Sequence, residues 1–320
     1  MNQTTTDTDI QMMERLRAGS RVAVVASSSG IPERSMLERG LAVLKQLGLE
    51  PVLGRGVWDH YGHLAGSDLQ RASDLMWGLS DPEIDAVWCA RGGYGASRTI
   101  AALPHDAIER LSTVAPKPVI GFSDSTVIHA FLRARLGWNS FYGPGVTSLG
   151  KASDYTLAAL QAALFESKPF PILTDPDDEW TSTLVPGQGE GILAGGCLTL
   201  LAALCGTPLQ PSFDQRICFF EDVIETPPRI ESYLSQLLAA GCFEGCRGIL
   251  IGEHTDCAVS ESRSLGLEQV FADLLTPLGV PCFHYLPVGH GKHLATLPLG
   301  APALLDADRG QLLITAPLVR

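Results

Sequence analysis

This sequence is short of positive charge. Its 320 residues hold 23 Lys and Arg against 35 Asp and Glu, a net charge of −12. A general nucleic-acid binder normally presents a basic face, so this balance argues against that class. No run approaches about eighteen consecutive apolar residues, so no membrane-crossing helix is expected. The opening stretch, MNQTTTDTDIQMMERLRAG, has no apolar core of a secretory signal. Phosphate-loop signatures are missing as well. There is no G-x-x-x-x-G-K-[ST], and no G-x-G-x-x-G follows the first strand-like run. Cys242 and Cys246 form a C-x3-C pair, but no second pair follows at a zinc-like spacing. Internal repeats and low-complexity tracts are also absent.

What is present suits a globular enzyme. Hydrophobic residues make up 45% and charged residues 18%, enough apolar material for a sizeable core. The 33 Gly and 21 Pro imply many tight turns. Length alone suggests about two domains. The eight cysteines fall mostly in apolar stretches such as AVWCA, RICFF and VPCFH. Buried, reduced thiols follow, and with them a cytoplasmic location.

Along the chain, residues 1–16 read as a disordered polar tail. Residues 17–165 then alternate strand and helix patterns. RVAVVAS, EPVL, DPEIDAVWCA and PVIG read as buried strands; ERSMLERGLAVLKQLGL, 69–79, a region broken at Pro104, and 125–136 read as helices. Such alternation predicts a parallel sheet covered on both faces, with ligands gathering at the carboxyl ends of its strands. Residues 166–190, rich in Pro, Asp and Gly, read as a linker in which short strands are possible. Residues 191–320 read as a second, mixed α/β domain with a β-rich end. There GGCLTLLAALCGTP is predicted helical, and the last stretch, from about residue 295, is predicted to form strand–turn–strand hairpins.

Two loops follow predicted strands of the first domain. In VIGFSDSTVIHAF, Ser123 sits between an apolar strand and an amphipathic helix. A serine on such a turn can present its hydroxyl at the sheet edge, as in a nucleophile elbow. Here Ser125 replaces the usual second Gly. Ser123 or Asp124 could equally cap the helix. In Arg91-Gly92-Gly93-Tyr94-Gly95, glycines allow close backbone approach, which suits an oxyanion hole or a simple turn.

A nucleophilic serine needs a base and an orienting carboxylate. Of eight histidines, His60, His63 and His105 fall in loop or helix-end contexts, and His129 lies inside the helix after the elbow. His254, His284, His290 and His293 remain. His290, between two glycines after a strand, is only slightly favoured over His254. For the carboxylate, Glu221, Asp222 and Glu225 are not separable by spacing.

Taken together, the segments ARGGYGASR (90–98), GFSDST (121–126), LAGGCLTLL (193–201), FFEDVIETPPRIESYLSQLLAAG (219–241), ILIGEHTDC (249–257) and PVGHGKH (287–293) resemble the LD-carboxypeptidase family of serine peptidases. They run in family order from about residue 20 onward. The resemblance implies a flavodoxin-like, class I glutamine amidotransferase-like N-terminal domain followed by a mixed α/β domain. It implies Ser123 as nucleophile, Glu221 as orienting acid and His290 as general base and acid, meeting where the two domains face each other. Asp124 and Gly93 would supply oxyanion N–H groups. Gly92, Tyr94 and Arg229, with Arg91 as a further candidate, would bind substrate. The implied substrate is a cytoplasmic muropeptide with a free C-terminal D-amino acid, the implied chemistry needs no metal or cofactor, and the implied assembly is a homodimer. Two departures bear on the pocket. Cys197 stands where the family commonly has Asn, and Ile224-Glu225 and Pro228-Arg229 replace a Gly-Glu pair and a Tyr before the Arg. A microcin-immunity-type peptidase is the alternative; it would need an aromatic clamp, for which Trp180 is the candidate. A non-catalytic ligand-binding protein on the same scaffold would not need His290.

Overall fold

The computed structural model describes residues 11–177, 181–257 and 264–320. Trp180 lies outside them. The first sheet is built from β1 (Arg21–Val25), β2 (Glu50–Leu53), β3 (Ala86–Cys89), β4 (Val119–Gly121) and β5 (Ser140–Tyr142). All five run parallel, in the order β5-β4-β3-β1-β2. Their strands are apolar on both faces because both faces are covered. Val22, Val24, Trp88 and Ile120 enter one core; Ala23, Val25, Val87 and Val119 enter the other. That is the sequence consequence of helices on either side. The connecting helices are α1 (Arg34–Gln46), α2 (Asp68–Ser80), α3 (Ala96–Ala101), α4 (Ala107–Ser112), α5 (Thr126–Phe131), α6 (Val146–Leu149) and α7 (Asp154–Leu164). Ser67 and Ser153 cap α2 and α7 by accepting backbone N–H bonds. The predicted helix 125–136 is shorter than expected: after α5 the backbone widens into a π turn at Leu132–Leu136 and stops at Gly137.

The second sheet has eight strands. Its centre is parallel: β8 (Gln188–Cys197), β9 (Arg216–Val223), β10 (Gly248–Thr255) and β11 (Cys282–His284). Antiparallel strands flank it. β7 (Ser182–Val185) pairs with β11, while β13 (Pro302–Asp306), β14 (Gln311–Ile314) and β6 (Phe170–Ile172) extend the other side. One face packs on α8 (Leu198–Ala203), α9 (Pro227–Ala239) and α10 (Leu267–Leu275) through Phe220, Ile230, Leu234, Ile249 and Val270. The other face sends Leu193, Phe219, Leu250 and Phe283 into the same core that holds Val22 and Trp88. The two sheets therefore share one unbroken apolar layer. No described helix is long and apolar enough to cross a membrane.

Several expectations need correction. The tail does not extend to residue 16. Met13 and Leu16 are buried, and Met13 donates its N–H to the Leu318 carbonyl at 2.9 Å. The stretch 166–190 is no free linker, since it supplies β6, β7 and the start of β8. Gly195, Gly196 and Cys197 end a strand, so the predicted helix begins only at Leu198. The division at 191–320 is crossed as well. β12 (Leu297–Leu299) leaves the second half and pairs antiparallel with β5 at the edge of the first sheet. Only β13 and β14 form the hairpin at the C-terminal end.

Candidate active site

The nucleophile position is made by backbone geometry. β4 ends at Gly121, Phe122 is extended, and Ser123 adopts φ 59, the left-handed region. A non-glycine residue there is strained and persists only if its surroundings over-determine it. They do. The Ser123 N–H donates to the Tyr142 hydroxyl at 2.9 Å, and the Thr126 hydroxyl donates to the Ser123 carbonyl at 2.7 Å. Neither Ser123 nor Asp124 caps its own helix through a side chain. The Asp124 carboxylate instead accepts the Ala96 N–H at 2.8 Å, which anchors the start of α3. Burial pushes this carboxyl up, against the Ser28 and Ala96 bonds that pull it down.

The glycine-rich loop lies directly against this turn. A Cβ on Gly92 would stand 2.9 Å from Ser123 Cβ and 3.1 Å from its Oγ, so only glycine leaves that face of the serine open. Ser29 steadies the loop by accepting the Tyr94 N–H at 3.0 Å. The N–H groups of Gly93 and Asp124 find no partner among the described residues. Two donors beside an elbow serine are what an oxyanion site needs.

The second half brings the acid and base. Glu221 lies on β9, completely buried, and its Oε2 is 2.7 Å from His290 Nδ1. Burial alone would push the His290 imidazole down; the hydrogen bond and charge of Glu221 outweigh it and set it above the ordinary histidine value. Gly289 keeps the approach clear: its φ is +151, and a Cβ there would stand 3.2 Å from Glu221 Oε2. The His290 ring packs on Phe122, with centroids 5.0 Å apart, so it sits over the residue preceding the nucleophile. No Ser123–His290 hydrogen bond is made in this structure. Such bonds are often long before substrate binds.

Strand alternation separates the three carboxylates that spacing left open. Glu221 faces the first sheet. Asp222 faces the other way and accepts the Thr199 N–H and hydroxyl, at 2.9 and 2.7 Å, at the start of α8. Glu225 pairs with Arg229 at 2.6 Å. The histidines separate too. His254 is turned into the aromatic cluster of Phe220 and Phe271, where burial pushes it down to about 4. His129 bridges Ser140 and the Gly121 carbonyl, and burial pushes it down to about 4 as well. His284 is buried, His293 is bonded to Ser153 and Asp177, and His60, His63 and His105 are exposed.

Of the expected substrate-binding residues, Gly92 and Tyr94 are on the loop beside Ser123, and Tyr94 is 72% exposed with His63 against its edge. Arg229 is exposed and engaged by Glu225 and the Tyr233 hydroxyl, the salt bridge of its structural reading. Arg91, half-buried, donates to the Gly30 carbonyl and has no carboxylate partner among the described residues. Two residues that hold the site's side chains and loop gave no sequence signal. Tyr142 donates its hydroxyl to Glu221 Oε1. Glu253 accepts the Gly291 N–H at 2.6 Å, and burial pushes its carboxyl up to about 7. Asp175, Asp177 and His293 have cation-ligand chemistry, but Lys292 already pairs with Asp177 at 2.6 Å. A cavity of about 630 Å³ lies behind α5, lined by His129, Arg133, Phe213 and Arg216, and does not include the Ser123, Glu221 and His290 side chains.

Comparison with known proteins agrees with this fold. Residues 22–143 match the LD-carboxypeptidase N-terminal domain and residues 190–305 the C-terminal domain. A murein tetrapeptide carboxypeptidase of Pseudomonas aeruginosa is 36% identical, over 90% of this chain and 94% of its own. The solved muramoyltetrapeptide carboxypeptidase of Oxalobacter formigenes superposes with a TM-score of 0.80 at 29% identity, over 93% of this chain and 99% of its own. The microcin C7 self-immunity protein of Escherichia coli is 26% identical, over 94% of each chain. The parallel sheet, the second mixed sheet and the ordered motifs thus have one explanation: the chain belongs to the LD-carboxypeptidase family of serine peptidases, and it is a carboxypeptidase-class hydrolase.

Proposed function

We propose that this enzyme hydrolyses the L,D-peptide bond before the C-terminal D-Ala of murein tetrapeptides, through an acyl-enzyme on Ser123. The carrying observation is the Glu221–His290 bond. It occupies Nδ1 and so leaves Nε2 as the nitrogen for the serine proton. Ser123 Oγ attacks the carbonyl joining the L-centred residue to D-Ala while His290 takes its proton. Glu221 holds the ring and stabilises the imidazolium. The N–H groups of Asp124 and Gly93 receive the oxyanion, one such donor being worth roughly 3–4 kcal/mol of barrier. His290 then protonates the leaving amine, D-Ala departs, and water releases the acyl group by the same route. Arg91 is the residue proposed for the terminal carboxylate. The setting we infer is cytoplasmic recycling of wall peptides by a homodimer.

Incubation with an anhydro-muropeptide tetrapeptide and, separately, an aminoacyl-nucleotide mimic tests this, with products read by mass. Release of D-Ala from the first, lost in Ser123→Ala, is the expected result. Cleavage of the second alone would make the chain a microcin-immunity-type peptidase. Cleavage of neither would favour a ligand-binding role.

A further inference from the structure

We infer that Tyr142 is a positioning residue that ties the two halves of the catalytic machinery together by one hydroxyl. The inference rests on the serine-peptidase reading above. β5 runs beside β4 with Gly121 opposite Tyr142, so the tyrosine stands next to the elbow two residues before Ser123. Its side chain is fully buried, with the rings of Phe122, His129 and Phe219 around it at 5.2–6.4 Å. A phenol has one proton to give. Here that proton goes to Glu221 Oε1, and the oxygen accepts the Ser123 N–H at 2.9 Å. The direction is fixed, because a backbone N–H can only donate and a carboxylate accepts.

Three consequences follow from that arrangement. Glu221 is held at both oxygens, by Tyr142 and by His290, so it cannot swing away from the imidazole. The strained Ser123 backbone has an acceptor for its N–H, which loses that partner when the hydroxyl is removed. A shift of either half reaches the other through this hydroxyl, beside the parallel link in which the Thr126 hydroxyl accepts the Cys197 N–H at 3.0 Å. Burial and the charge of Glu221 push the Tyr142 phenol far above its ordinary value, so it stays a donor throughout the working range.

Removing the donor also changes the chemistry of the pair. The Glu221–His290 pair carries one negative charge when the imidazole is neutral. Tyr142 stabilises that state more than the protonated one, so without it the pair binds its proton more tightly. The other titratable groups near the pair are Cys197 on β8 and Glu253 on β10, with Asp222 acting on it by charge from the opposite face of β9, and His129 on α5 flanks Tyr142. None of them changes in the substitution, so the difference reports Tyr142.

The experiment follows two readouts against pH: D-Ala release from the tetrapeptide, and labelling of Ser123 by a fluorophosphonate. The label forms an Oγ–P bond and expels fluoride, so it needs an activated serine but no particular substrate. Tyr142→Phe is expected to lower kcat and the labelling rate on the order of tenfold to a hundredfold with little change in KM. Its acid limb should move up by about one pH unit. Tyr142→3-fluorotyrosine keeps the hydroxyl, makes it a stronger donor and leaves the packing nearly intact. It should move the acid limb down. Opposite shifts establish the positioning role. If neither variant moves the limb, Tyr142 merely fills space and the inference fails. Should the Phe variant not fold, the fluorinated one decides by itself. A wild type that is labelled but does not release D-Ala overturns the substrate reading alone, and a wild type that does neither overturns both.

Discussion

The two halves hold the proposed catalytic groups by different means. The first half fixes Ser123 through its backbone: a left-handed turn, the hydroxyl bonds of Tyr142 and Thr126, and a glycine pressed against its side chain. The second half fixes Glu221 and His290 through charge, with a buried carboxylate and its imidazole 2.7 Å apart. Backbone placement resists pH and salt but stores strain. Charge placement depends on protonation. Changes in the first half should therefore separate activity from stability, and changes in the second should couple both to pH.

The sharpest way to break this contrast is Ser123→Gly. Glycine accepts φ 59 at no steric cost, so the variant should lose about a thousandfold or more of turnover while its stability rises by up to about 1 kcal/mol. Turnover by mass and a denaturant melt check the pair of effects. A variant that loses both activity and stability would mean that the serine side chain, not the backbone, holds the turn.

His290→Gln probes the other half. Turnover should fall by roughly a thousandfold or more, as for loss of a triad base. Stability should now depend on pH. The folded His290 value is raised, so its charge contributes stability that is fully present below the unfolded value of about 6.5. That contribution is lost as pH rises through the folded value. The melting-temperature gap between wild type and variant should be widest below about pH 6.5 and narrow as pH rises through the folded value. A gap independent of pH would mean that packing, not charge, seats the imidazole.

The contrast also explains what could be read from the sequence. The elbow and the RGGYG loop are local: strand, small residues and turn are contiguous, so residues 121–125 and 91–95 were legible. The acid and base were narrowed by family resemblance, not by spacing. Only strand alternation, which turns Glu221 inward and Asp222 toward Thr199, separates the adjacent carboxylates. Tyr142 carried no signal because its role is made by the pairing of β5 with β4 and the meeting of two sheets. The pairing of β12 with β5 joins residues 297–299 to 140–142, and no local pattern encodes such a distance. The burial of Met13 against Leu318 is hidden for the same reason.

The smallest expected effect concerns Glu253, and it sharpens the comparison most. Glu253 grips the His290 loop through the Gly291 N–H, so it belongs to the half organised by charge. Yet its carboxyl is pushed up to about 7, chiefly by burial and further by Asp175 and Glu221, so ionising it opposes folding. The folded state then binds the proton more tightly than the unfolded chain does. Stability should fall as pH rises from about 4.5 to about 7, the reverse of an ordinary paired carboxylate. Glu253→Gln keeps an oxygen for the Gly291 N–H and removes the ionisation. It should match the wild type near pH 5 and exceed it by about 1 kcal/mol near pH 8, the half-buried position damping the full shift. Turnover should change by less than about threefold, because the loop keeps its bond. If the variant is weaker at pH 8, the charge on Glu253 is itself the grip on the loop, and the loop then depends on two anions flanking one imidazole. If it is stronger, the neutral hydrogen bond suffices, and the His290 loop needs no second anion beside Glu221.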